Sequence, residues 1–208
     1  SVIAHVVRCF DNPDIMHVRD NANEAAPIDP ESDILTINWE LCQADINTID
    51  ARQDKVTRAI RSLGKEQEKV YAPWISAVAK IRPLLLDGKC ARTADLTDEE
   101  KAAVYDMFLL TMKPTLYVAN VDEDTIADGT NKYVEIVKKY ADEEKSEVVV
   151  ICGKFEADLA EIDDPADRKD FMESVGLKES GLAVLARKAY HLMGLRTFFT
   201  GGPDECRA

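Results

Sequence analysis

Two apolar runs, Thr115-Leu116-Tyr117-Val118-Ala119 and Glu147-Val148-Val149-Val150-Ile151, are separated by a segment of helical period. Apolar runs rich in β-branched residues suit strands covered on both faces. Two such strands joined through a helix lie parallel, because the crossover returns the chain to the edge where it started. The pattern predicts an open α/β sheet, and in such sheets ligands sit at the carboxyl ends of the strands. Asn120-Val121-Asp122-Glu123 leaves the first run and Cys152-Gly153-Lys154 leaves the second, so chemistry is expected on these two loops.

The N-terminal run from Val2 to Phe10 reads as a third strand, also buried on both faces. Such a strand needs neighbours on each side, and only two further good strands occur. The β-prone Thr197-Phe198-Phe199-Thr200 lies close to Ala208. The chain is therefore expected to be an excerpt of a longer protein, with pieces missing at the N-terminus and the C-terminus.

The middle of the chain is helical. Asp29 is a good N-cap and Pro30 suits the first helical position. After them Ile34, Ile37, Leu41, Ala44, Ile49, Val56, Ile60 and Leu63 recur mostly at three- and four-residue steps, which predicts one long helix ending near Gly64. A second stretch carries Val70, Trp74, Ala77, Ile81, Leu84 and Leu85, with Pro73 and Pro83 expected to start, kink or end helices. The two form an antiparallel hairpin, coiled-coil-like but without a strict heptad. A third helix begins at Thr97, with Glu100 completing a capping box, and runs to about Met112. Helices are also expected over 131–142, 156–162 and 167–175, and from Ser180 to Gly194.

Charge is unevenly spread. Between Arg52 and Arg92 there are ten Lys/Arg against four Asp/Glu, a surplus of six, within a chain of net −13. The remainder therefore carries −19. Such segregation suggests a basic surface offered to a polyanion, with Arg58, Arg61, Lys65 and Lys69 as candidate contacts. The alternative is a solvated helical face, since no aromatic residues interleave with these cations. Trp39 and Trp74 sit on helical faces and read as hairpin or docking core, with ligand stacking as the alternative. The three histidines His5, His17 and His191 lie far apart, so no local metal motif exists. Five scattered cysteines without C-x-x-C spacing read as reduced thiols of a cytosolic protein. No apolar run approaches the ~20 residues of a membrane span.

At the two loops, hydrogen-bonding faces decide what can be read. A short carboxylate reads guanine by accepting from N1–H and the exocyclic amine together, and adenine offers neither donor there. The longer Glu123 disturbs that bidentate geometry, whereas Asn120 carries both donor and acceptor and serves either base. Val121 offers an apolar side chain to a ring face. The expected result is a weakened guanine preference and tolerance or preference for adenine. There is no Gly-x-x-x-x-Gly-Lys-Ser/Thr to cradle phosphates. No catalytic residue and no metal ligand can be named in this chain.

The loops resemble the Asn-Lys-x-Asp and Ser-Ala-Lys motifs at the corresponding strand exits of P-loop GTPase-like domains. Longer runs are more specific. His5–Phe10, Ile28-Asp29-Pro30 with Asp33-Ile34 and Thr36-Ile37-Asn38, Lys113–Glu123 and Phe198–Ala208 resemble the YchF-type Obg-like ATPases. The resemblance covers essentially the whole chain. It implies a Ras-like nucleotide-binding domain interrupted by a helical insert and followed by a TGS domain. Residues 1–27 would be the first part of that domain, 28–112 the insert, 113–199 the base-recognition part and 200–208 the start of the TGS-like domain. The P-loop, the switch regions and the Mg²⁺ ligands would precede Ser1. The resemblance further implies hydrolysis of ATP in preference to GTP with Mg²⁺, a cytoplasmic location, and association with ribosomes or ribosomal RNA without DNA specificity. By position, Asn120, Val121 and Glu123 match the altered base motif, with Val121 against the adenine, and Cys152, Gly153 and Lys154 match the second base loop. The competing reading is a non-catalytic binding module whose basic hairpin contacts the ribosome or another polyanion.

Overall fold

The structure is a computed structural model that describes residues 1–12, 27–198, 200–201 and 206–207, apart from the side chains at 63, 65, 200, 201, 206 and 207. In chain order the elements are β1 (Ile3–Arg8), α1 (Pro30–Leu63), α2 (Lys65–Leu86), α3 (Asp98–Val104), β2 (Thr115–Asn120), α4 (Glu123–Ile126), α5 (Lys132–Glu143), β3 (Glu147–Ile151), α6 (Gly153–Ala160), α7 (Pro165–Ser174), α8 (Gly181–Leu192), β4 (Thr200–Gly201) and β5 (Cys206–Arg207). They form two compact units, Ser1–Pro30 with Pro114–Ala208, and Glu31–Lys113.

The first unit is built on a parallel sheet of order β1-β2-β3, with Arg8 opposite Asn120 and Asn120 opposite Ile151. The central strand β2 is buried from Thr115 to Ala119, which is why its sequence does not alternate. Leu116, Val118, Val149 and Ile151 pack under Val184, Leu185, Ala189 and Leu192 of α8. On the other face Tyr117 meets the Tyr140 ring edge-on and donates at 2.8 Å to Glu144, the residue that caps the C-terminus of α5.

β1 departs from the expectation of two-faced burial. His5 and Val7 are buried, but Ala4 and Val6 are exposed, Val6 by 62%. The reason is its place at the end of the strand order, because α5 and α8 pack over β2 and β3. Among the described residues one face of β1 is therefore uncovered. β4 and β5 pair antiparallel. The expected C-terminal domain start over 200–208 lies mostly outside the described residues.

The second unit is helical. Cys42 donates its thiol to the Lys89 carbonyl at 3.7 Å, and Arg82 reaches Asp50 at 3.1 Å. These contacts set α1 and α2 antiparallel about Gly64, where φ is 81°. Ile46, Ile49, Val56, Trp74, Ala77, Ile81 and Leu85 share one core. A hydrogen bond to Cys90, with burial second, pushes the Cys42 thiol up, so it stays protonated.

One expectation is narrowed here and another fails. Pro73 and Pro83 neither start nor end a helix: both lie inside α2, and the helix continues through them. Each interior proline costs ~3 kcal/mol. Five side chains of α2 (Trp74, Ala77, Val78, Ile81 and Leu85) are buried along one face, and the larger of them contribute about 1.5–3 kcal/mol each. The third helix does begin with the Thr97–Glu100 capping box, but it ends at Val104 instead of running to Met112. Beyond it come short 3-10 turns at Tyr105–Met107 and Leu110–Met112, divided by Phe108 at φ 50°. The buried Asp45 of α1 explains the break. Its Oδ1 accepts from the Leu110 amide (2.7 Å) and its Oδ2 from the Thr111 amide (2.8 Å) and hydroxyl (2.7 Å). Those amides are thereby unavailable to a continuing α-helix.

The two tryptophans occupy different settings in this unit. Trp74 is buried and its indole N–H points at the Met107 sulfur, 3.1 Å away. Half-exposed Trp39 lies against Gly88, where a Cβ would come within 3.1 Å of the indole nitrogen.

Candidate functional site

The sheet register brings the two strand exits side by side. Asn120 is the last residue of β2 and Ile151 the last of β3, and the Val121 amide donates to the Ile151 carbonyl at 2.8 Å. Asn120 then crosses to the neighbouring loop, its Oδ1 accepting from the Gly153 amide at 2.9 Å. An added Cβ at Gly153 would stand 3.4 Å from that oxygen, so the approach is close but not strained.

Glu123 opens α4 because the preceding Asp122 caps that helix through the Thr125 amide at 3.0 Å. Its carboxylate meets the Lys154 ammonium at 2.6 Å, with Glu123 46% and Lys154 70% exposed. The hydrogen bond from Glu123, reinforced by its charge, raises the Lys154 pKa above the ordinary value.

Of the expected site residues, Asn120, Glu123, Gly153 and Lys154 come together. Val121 and Cys152 are turned inward. Val121 is only 2% exposed, so it offers little surface to a ring. Cys152 is buried and caps α6 through the Phe155 amide, so Gly153 and Lys154 begin a helix where a loop was expected. The cap moves the helix start to Gly153 from the expected 156.

Three residues not singled out by sequence steady this corner. Glu156 of α6 is buried, and its Oε1 accepts from the Gly181 amide at 2.6 Å, tying the start of α8 to α6. Gly181 permits that approach, since a Cβ there would lie 2.6 Å from the Ile151 Cγ2 atom. Asn131 caps α5 with its oxygen while its amide donates to the Cys9 carbonyl at 2.7 Å, holding the exit of β1. Only Asn131 leaves a sequence signal, as a helix N-cap.

The expected polyanion contacts belong to the helical unit. Arg58, Arg61 and Lys69 are exposed, and none joins an ion pair among the described residues; the Lys65 side chain lies outside the described residues. Three other cations of the basic stretch are neutralised by acids from outside it: Arg52 by Asp106 (2.9 Å), Lys80 by Glu100 (2.8 Å) and Arg82 by Asp50 (3.1 Å). These three pairs offset three charges of the surplus of six. Among the described residues no three His, Cys, Asp or Glu side chains gather as a metal site, and no helix is long and apolar enough to cross a membrane.

Comparison with known proteins bears on the same frame. The Bacillus subtilis protein named ribosome-binding ATPase YchF is 39% identical over 207 residues, covering 99% of this chain and 54% of its own length. The protein of that name from Escherichia coli O157:H7 is 40% identical over 206 residues, covering 99% and 53%. The chain is homologous to the YchF proteins. Its fold agrees, since the solved Schizosaccharomyces pombe YchF GTPase superposes with a TM-score of 0.81 at 25% identity, over 99% of this chain and 53% of that one. The chain spans about half the length of the curated YchF relatives it matches. No protein-family model matches it.

Proposed function

We propose that the exits of β2 and β3 hold the base of a purine nucleotide, with adenine preferred, and that this chain contributes base recognition to a cytoplasmic, ribosome-associated YchF-type ATPase. The observation that carries the reading is the cross-loop pairing of Asn120 with Gly153 and of Glu123 with Lys154.

The chemistry follows from which atoms are already engaged. The Asn120 oxygen is taken by the Gly153 amide, so its NH₂ group faces outward as a donor, suited to the ring acceptors that every purine carries. One Glu123 oxygen is held by Lys154. The other accepts from the C6 amine of adenine. A guanine edge needs both oxygens in a fork, and Lys154 competes for one of them. Val121 acts from beneath, fixing the loop without stacking on the ring. The names of the curated relatives support ATP as nucleotide and the ribosome as partner, and the Glu123 geometry argues for GTP as the weaker ligand. Exposed Arg58, Arg61 and Lys69 are the contacts we assign to ribosomal RNA, on a coiled-coil-like helical insert over 28–112. Mg²⁺ would accompany the nucleotide phosphates; among the described residues no three His, Cys, Asp or Glu side chains gather to hold it.

Saturation-transfer NMR on the 208-residue chain tests the base site, because it detects binding too weak for titration. Transfer to adenine protons should exceed transfer to guanine and be lost in Asn120→Ala. Equal transfer in that variant, or none to either base in the parent chain, would overturn the reading.

A further inference from the structure

Helices α6, α7 and α8 of the sheet unit enclose a cavity of about 490 Å³. The Phe155 and Phe171 rings stack at 4.9 Å and 11°, fixing α7 on α6, and the Gly181 amide donates to the Glu156 Oε1 atom at 2.6 Å, fixing α8. The space left between them has an apolar lining of Leu159, Met172, Leu182 and Ala183, and a charged lining that includes Glu156, Arg168 and Lys178. Glu156 is the unusual member. It is only 6% exposed, and a carboxylate that deep ordinarily has partners for both oxygens. Oε1 has the Gly181 amide, but Oε2 accepts from no group among the described residues. Nor is Oε2 sealed in the interior: among the described residues the fully enclosed side-chain atoms that lack a partner are the Nε atoms of Arg82 and Arg92. It opens on the cavity that Glu156 lines. Both cations are uncommitted as well. Arg168 engages only its Nε, on the Ile162 carbonyl, and Lys178 joins no hydrogen bond or ion pair among the described residues. Glu179, the other acid of the lining, is taken by Arg187 through two contacts of 2.6 Å.

We propose that this cavity binds a free aliphatic amino acid of leucine or methionine size, its ammonium on Glu156 Oε2, its carboxylate on Arg168 and Lys178, and its side chain on Leu159, Met172 and Leu182. Charge balance selects the class. A simple amine satisfies Glu156 but meets two unpaired cations, and a simple carboxylate satisfies the cations but meets Glu156. A neutral hydrocarbon displaces water from a buried carboxylate and gives it no partner in return. A ligand that carries both charges beside an apolar body pairs every uncommitted group. Such charge-assisted contacts are the strong ones, and the terminal nitrogens of Arg168 suit a carboxylate in a fork. The volume falls within the range of about 300–1,000 Å³ common to small-molecule sites.

Amide-resolved NMR of the 208-residue chain titrated with leucine tests the cavity, with Gly181 as reporter because its amide shares the Glu156 carboxylate. Leucine should shift the Gly181 and Ala183 amides saturably. Isoamylamine, which is leucine without its carboxylate, and isocaproate, which is leucine without its ammonium, should each bind about tenfold or more weakly, the loss of one charge-assisted contact. Arg168→Gln with Lys178→Gln, both at exposed positions, should weaken leucine about tenfold and leave isoamylamine binding no weaker. Glu156→Gln keeps an oxygen for the Gly181 amide but turns an NH₂ group on the ligand's ammonium, so isocaproate should then bind at least as well as leucine. Circular dichroism of each variant controls for folding, and the exposed double variant carries the test if Glu156→Gln does not fold. Equal affinity for leucine and its two single-charge analogues would reduce the cavity to an apolar surface and overturn the assignment. So would the absence of any saturable shift with leucine, or leucine binding unchanged in the Arg168→Gln, Lys178→Gln variant.

Discussion

Replacing Asp45 with Asn is expected to destabilise the helical unit by about 3 kcal/mol, because a single carboxylate there serves three donors. An amide keeps one acceptor oxygen and turns an NH₂ toward backbone N–H groups. With the oxygen toward Thr111, the Leu110 amide faces a donor; reversed, the Thr111 amide does. Either way a hydrogen bond to a charged group is lost, worth about 1.5–3 kcal/mol, and an N–H is left without an acceptor at about 1–3 kcal/mol. Asp45 is only 2% exposed, so removing its charge recovers part of this as relief of desolvation. The Thr111 hydroxyl, which also accepts from the Ala91 amide at 3.0 Å, belongs to the same network. Urea unfolding followed by circular dichroism measures the loss, and amide exchange at Leu110 and Thr111 locates it. The Asp45→Asn, Thr111→Val double-mutant cycle should show coupling above ~0.5 kcal/mol. A loss below about 1 kcal/mol, with exchange at those two amides unchanged, would refute the assignment of Asp45 as the group that ends the third helix.

Glu100 sets the acid response of the same unit. Hydrogen bonds from Lys80 first, then Ser76 and the Thr97 amide, hold its carboxyl at about 2, below the ordinary 4.5. A depressed folded value stabilises above the ordinary pKa, and that contribution is lost as pH falls from 4.5 toward 2. The thermal midpoint of the parent should therefore drop more steeply through that window than that of Glu100→Gln, and parallel curves would contradict this. In the sheet unit, Gly181→Ala drives a methyl to within 2.6 Å of Ile151 and 3.0 Å of Glu156. It should cost about 1–3 kcal/mol by overpacking, and an unchanged melting temperature would show that α8 yields freely.

What sequence could reveal divides along the range of the interactions involved. β2 and β3 follow from apolar runs, and the caps at Thr97, Asn131 and Ser180 follow from residues within one turn of the helices they start. That Asn120 and Cys152 leave neighbouring strands is implied by the alternation of strand and helix. The pairing of Glu123 with Lys154 is not, because it depends on a cap at Asp122 and another at Cys152, each of which turns a loop residue into the start of a helix. The prolines of α2 illustrate local preference overridden by a buried face. The end of the third helix, and the pairing of Arg52 with Asp106, hang on long-range contacts that no local period carries.

The placement of the two tryptophans gives the molecule a built-in optical division. The whole chain contains only Trp39 and Trp74, and both belong to the helical unit. Indole emission excited at the red edge of its band thus reports on one unit alone. Trp74, shielded and facing a polarisable thioether, would emit as a buried fluorophore, and Trp39 at the Gly88 turn as a partly wetted one open to aqueous quenchers. A change in emission on adding nucleotide would be read from the helical unit, and iodide quenching would tell whether it lies at the Gly88 turn or in the core.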